Sequence, residues 1–162
     1  MKNETIKKII FSFVIVLFIF FLDRITKILI LNIAEEVGKV NIYVNSFLNF
    51  YLVWNNGIGF GLLSFDDDYV YNFITVIIIL INLIIVYLIF LEKGQKSLFL
   101  LIILGGSLGN LFDRLYYNAV PDFIDLNYNG FHWFIFNVAD IFITLGIIFL
   151  ILLEIINYKK EK

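Results

Sequence analysis

Asp122 and Asp140, eighteen positions apart, are the residues of this chain best suited to chemistry. Asp122 sits in a short polar break, Val120-Pro121-Asp122-Phe123. Asp140 lies several residues inside the apolar run that follows, in Phe136-Asn137-Val138-Ala139-Asp140. A charged carboxylate at membrane depth costs about 3 kcal/mol or more, so such acids mark chemistry or transport. Two carboxyls that converge can share one proton. One can then deprotonate water while the other donates to a carbonyl, which is the requirement for hydrolysing a peptide bond. A plainer reading stays open, with Asp122 a solvated loop residue and Asp140 a cap or a partner of Arg114. Spacing alone does not choose between them.

The elements that must position these acids are apolar. Of the 162 residues, 61% are hydrophobic and 16% charged, too oily for a soluble domain of this length. The composition predicts a single polytopic membrane domain, residues 1–162, with spans at about 9–31, 69–91, 97–116 and 134–156. The longer connections are 33–68 and 113–133. Lys2, Lys7 and Lys8 before an apolar run resemble a secretory signal, but no small-residue cleavage site follows, so a retained anchor is expected. Lys2, Lys7, Lys8, Lys93, Lys96, Lys159, Lys160 and Lys162 fall on one side. The positive-inside rule therefore places both termini in the cytoplasm and both long connections outside. Asp23, Asn55, Asp113, Arg114, Asp122 and Asp140 then share one depth near the outer leaflet, as a single polar site would. Residues 40–63 suit short strands around a turn at Gly57–Gly61. The aromatic residues around both breaks also suit a headgroup belt.

Other constellations compete with the aspartates. Asp23 and Lys27 stand at i, i+4 and can pair, with Lys27 snorkelling outward as the plain alternative. Asp113 and Arg114 suggest a neighbouring ion pair that holds Asp113 ionised. Gly105-Gly106-Ser107-Leu108-Gly109 permits close helix packing and also spells Gly-x-Ser-x-Gly. With His132 downstream, a rhomboid-like serine protease is a second reading, although no strand–turn–helix context supports it. A small proton-coupled transporter is a third, and it would need polar residues reaching both faces. A non-enzymatic anchor is a fourth. There are no cysteines and one histidine, so disulfides and thiolate chemistry are excluded and a metal centre is not expected. Nothing resembles a basic stripe for nucleic acid.

Five blocks taken in order resemble the lipoprotein signal peptidase (signal peptidase II) family of aspartyl peptidases. They are Asp23-Arg24-Ile25-Thr26-Lys27, Asn55-Asn56-Gly57-Ile58-Gly59-Phe60, Gly105 to Arg114, Val120 to Asp125 and Phe136 to Asp140. The resemblance implies an all-α membrane protein of four transmembrane helices with a small extracytoplasmic β-cradle. It also implies cleavage of bacterial prolipoproteins just before a diacylglyceryl-modified cysteine, at the outer leaflet of the cytoplasmic membrane. Asp122 and Asp140 would be the catalytic dyad. Asp23, Asn55, Asn110, Arg114 and Asn137 would line or brace the substrate site, with Lys27, Gly57, Gly109, Asp113 and Ala139 in support. The expected partners are a diacylated prolipoprotein, membrane lipid and inhibitory cyclic peptides of the globomycin type. No cofactor or metal is implied, and a monomer is expected. Pro121, Ser107, Gly59 and Trp133-Phe134-Ile135 depart from the usual pattern without removing a carboxylate.

Overall fold

Apolar runs uninterrupted by proline form four helices in the computed structural model, which describes residues 2–57, 68–128 and 131–160. They are α1 (Lys2–Val37), α2 (Asp68–Leu91), α3 (Gln95–Tyr117) and α4 (Val138–Lys160). All four are long and apolar enough to cross a membrane. At 1.5 Å per residue α1 is about 54 Å long, well beyond the roughly 30 Å of a hydrocarbon core. Gly38, at φ 78, ends α1 in the left-handed conformation, and its N–H donates to the Ala34 carbonyl at 2.9 Å.

α3 is the central helix, packed against α1, α2 and α4, whereas α2 and α4 scarcely touch one another. Its small residues permit this. A Cβ built on Gly106 would stand 2.6 Å from the Ala139 carbonyl oxygen and 3.0 Å from Ile143 Cγ1, both on α4. We expect Gly106→Ala to push α3 from α4 and destabilise the bundle by about 1–3 kcal/mol with the protein still inserted. Unfolding in detergent beside a membrane-insertion assay checks this, and wild-type stability would count against that packing.

The connections at one end of the bundle pair as a four-stranded antiparallel sheet in the order β1 (Asn41–Asn45), β2 (Leu48–Asn55), β3 (Val120–Tyr128), β4 (Phe131–Phe136). Asn45 turns the first hairpin, its Oδ1 accepting the N–H groups of Phe47 and Leu48 at 2.9 and 3.0 Å. Ile30 of α1, Val40 and Phe123 of β3 form a buried cluster that ties the sheet to the bundle.

The expected strands in 40–63 are present over 41–55. Of the expected Gly57–Gly61 turn, all but Gly57 lies outside the described residues. The fourth span differs from the expected 134–156. Phe131–Phe136 pairs with β3, and α4 begins only at Val138. Asn137 and Asp140 cause this, because each accepts the other's backbone N–H at 3.1 Å, a reciprocal cap that fixes the first turn. Asp140 is therefore in the first turn of its helix.

Candidate active site

The caps and registers that fix the chain ends also bring the polar residues together. Asp122 is the third residue of β3. Opposite it the pairing slips, with Phe50 facing Ile124 and Val53 facing Asp122, so β2 carries an extra residue at this point. Such a bulge re-aims the side chains around it. Asp140 is held by the α4 cap just described. One residue joins them: Asn137 donates its side-chain Nδ2 to Asp122 Oδ1 at 2.6 Å and its backbone N–H to Asp140 Oδ2 at 3.1 Å. Asn55 Nδ2 donates to Asp122 Oδ2, and Asn110 Nδ2 to Asp140 Oδ1, both at 2.8 Å.

The three amides cannot turn round. Asn110 Oδ1 accepts from the Lys27 ammonium at 2.8 Å, and Asn55 Oδ1 from the Gly57 N–H at 2.8 Å. Asn137 Oδ1 accepts from the Asp140 N–H. Each oxygen is committed to a donor, so each NH₂ must face a carboxylate. Every oxygen of the two acids receives one N–H, three from these amides and one, at Asp140 Oδ2, from the Asn137 backbone, and keeps a lone pair for a proton or water. Burial, and secondarily the nearby Asp140 charge, push the Asp122 carboxyl up from 3.8 to about 7. Near neutral pH it can therefore hold a proton that an exposed aspartate has lost.

Behind the dyad lies a buried ionic cluster. The Lys27 ammonium meets Asp23 Oδ2 at 2.9 Å and Asp113 Oδ2 at 2.6 Å. Arg24 meets the same two acids at 3.1 and 2.5 Å. Two cations and two anions cancel, which is what makes their burial tolerable. Gly109 admits the cluster, since a Cβ there would stand 2.6 Å from Asp23 Oδ2. Asp23 Oδ1 in turn accepts the Ala139 N–H at 3.0 Å, pinning the start of α4 to α1.

Two expectations are corrected here. Lys27 does not snorkel outward: it is fully buried, because both of its acid partners are buried too. Asp113 is not paired with Arg114. Successive residues on a helix point about 100° apart, so Asp113 faces α1 while Arg114 turns toward the sheet. Arg114 donates Nη2 to the Gly57 carbonyl and stacks on the Tyr71 ring, 5.3 Å from its centroid. Its Nε and Nη1 are buried without a partner among the described residues. Arg24 and Tyr71 were not singled out in the sequence. Arg24 lay in plain view beside Asp23, whereas Tyr71 looked like one more interfacial aromatic.

A cavity of about 260 Å³ opens onto both acids, with Asn55, Asn110, Arg114 and Asn137 in its wall. Asp23, Lys27 and Asp113 stand behind that wall and brace it. His132 is elsewhere, on the outer strand, with Nδ1 at 2.9 and 2.8 Å from the two oxygens of Asp125. Among the described residues no three His, Asp or Glu side chains converge as metal ligands would.

The model of the family described as signal peptidase (SPase) II matches residues 15–156. The chain belongs to the signal peptidase II family. It is 48% identical over 161 residues to the lipoprotein signal peptidase of Pelagibacter ubique (strain HTCC1062), covering 99% of this chain and 97% of that one. It is 42% identical over 136 residues to that of Aquifex aeolicus (strain VF5), covering 83% and 79%. Its fold is similar to a bacterial membrane enzyme solved in meso at 2.3 Å resolution. The TM-score is 0.75 and the identity 31%, over 93% of this chain and 90% of that one. This peptidase is a bacterial-type membrane protease with four apolar helices and a small sheet. The serine-protease and transporter alternatives find no support.

Proposed function

We propose that this chain is an aspartic endopeptidase that removes signal peptides from diacylglyceryl-modified prolipoproteins, cutting before the lipidated cysteine. The single observation that carries the reading is Asn137, one residue bonded to both Asp122 and Asp140 at the wall of one cavity. Membership of the signal peptidase II family supplies the substrate class.

The chemistry follows from the bonding. Asp122 holds the shared proton, while Asp140, where the α4 amides point their positive end, acts as the base. Asp140 takes a proton from water as that water attacks the scissile carbonyl. Asp122 gives its proton to the carbonyl oxygen, forming a neutral gem-diol. The C–N bond then breaks as the proton on Asp140 passes to the departing amine, and Asp122 recovers its own from the diol. The unpartnered Nε and Nη1 of Arg114 are available to substrate carbonyls, and the glycines and asparagines hold the geometry without reorganising.

The signal peptide enters sideways between α2 and α4, which both pack on α3 and leave a cleft, and its acyl chains stay in lipid. The lysine distribution supports cytoplasmic termini and a sheet on the outer surface of the cytoplasmic membrane. A globomycin-type cyclic peptide would occupy the dyad, and the protein acts as a monomer. The test is cleavage by purified protein of a diacylated prolipoprotein beside its unmodified precursor. Cleavage of the diacylated form alone, with a new N-terminus at the lipidated cysteine, is expected. Equal cleavage of both, or of neither, would overturn the substrate assignment.

A further inference from the structure

At the end of the cavity away from the sheet, two hydroxyls stand without partners. Ser107 of α3 and Thr144 of α4 both line it, together with Ile78 and Ile143. Ser107 is three residues before Asn110 and Thr144 four after Asp140, so both lie roughly one turn, about 5 Å, beyond the dyad. Neither hydroxyl has a hydrogen-bond partner among the described residues. Thr75 on α2, by contrast, returns its hydroxyl to the Tyr71 carbonyl at 3.0 Å. Ser107 is half-buried and Thr144 exposed; at membrane depth little water reaches either hydroxyl, so an occupant of the cavity gains by supplying the hydrogen bond. The space is narrow, because α3 and α4 approach each other at Gly106, where even a Cβ would meet the Ala139 carbonyl oxygen at 2.6 Å.

We infer that Ser107, with Thr144 opposite, is a specificity-determining residue that selects a small hydrogen-bonding side chain, serine over alanine or valine, in the two residues preceding the scissile bond. The inference rests on the peptidase reading above. With the termini in the cytoplasm, a signal peptide runs from its inner end outward. The residues before the scissile bond therefore extend from the dyad toward Ser107 and Thr144. At about 3.3 Å per extended residue, a distance of about 5 Å is reached within two residues. A serine there can donate to, or accept from, the hydroxyl on either helix. Alanine leaves both unpaired, and valine lacks a polar atom and is wider.

The experiment uses the purified full chain in lipid nanodiscs and a diacylated prolipoprotein carrying Ser, Ala or Val at each of the two positions before the cysteine. The wild type is expected to cleave the serine form about fivefold faster than the alanine form at one of these positions, one hydrogen bond's worth. The valine form should be slowest. Ser107→Ala should bring the serine-to-alanine ratio close to one, and the isosteric Thr144→Val should lower it. A ratio that is the same in the wild type and both variants overturns the inference, as does a valine form cleaved as fast as the serine form. If the wild type cleaves all forms equally, only this inference falls. If it cleaves none, the peptidase reading falls with it.

Discussion

Asp122→Asn and Asp140→Asn will each lower prolipoprotein cleavage by about 10³-fold or more while the protein remains inserted, because each removes one half of a proton exchange that the other half cannot perform alone. Asparagine keeps the shape but cannot take a proton from water or hand one to a carbonyl. The Asp122 variant has a second signature that separates lost chemistry from lost structure. The folded carboxyl holds its proton up to about pH 7, and the unfolded one releases it near 3.8. The folded state thus binds the extra proton between about pH 4 and 7, and stability falls as pH rises through that window. The fall is on the order of 4 kcal/mol. Asparagine cannot titrate. The melting temperature of Asp122→Asn in detergent should therefore drop less between pH 5 and 8 than that of the wild type. Full processing by either variant would remove the dyad from the mechanism, and parallel melting curves would remove the buried proton.

Lys27→Met will be the most damaging change outside the dyad. The methionine fills similar space but leaves Asp23 and Asp113 with Arg24 alone, one uncompensated negative charge among buried groups. Breaking a buried ionic group by removing one partner costs about 3–5 kcal/mol. The same change releases Asn110, whose oxygen Lys27 holds at 2.8 Å. The Asn110 amide can then turn and present oxygen to Asp140, so the chemical step slows beyond what the loss of folded protein explains. Unfolding in detergent micelles and kcat per folded molecule measure the two effects separately. A variant with wild-type melting and wild-type kcat would show that the cluster neither stabilises the bundle nor orients the dyad.

The apolar runs were enough to place four helices, because a bilayer demands about twenty apolar residues and leaves few other ways to bury them. Asp23 and Lys27 were legible as a pair, since i, i+4 spacing fixes their proximity. Phe134–Phe136 reads as the start of the fourth span because an apolar, aromatic-rich run suits either a helix start or a strand, and only the Asn137–Asp140 cap decides between them. The third and fourth strands were hidden in what looked like an aromatic connection. The partners of Asp113 were not legible either. Adjacency in sequence pointed to Arg114, while helix geometry turned Asp113 to Arg24 and Lys27 on another helix. The bulge opposite Asp122 and the fixed orientation of the three amides arise from long-range pairing and have no local signal. Tyr71 had none beyond being aromatic.

The pH dependence of kcat/KM tests the central claim most directly, because the dyad and a histidine base predict opposite slopes. With purified enzyme and a diacylated prolipoprotein, kcat/KM should fall as pH rises through about 7, where Asp122 loses its proton. Above that the fall should approach about tenfold per pH unit. A kcat/KM that instead climbs through pH 7 and levels off, as deprotonation of a histidine would produce, would contradict the shared proton.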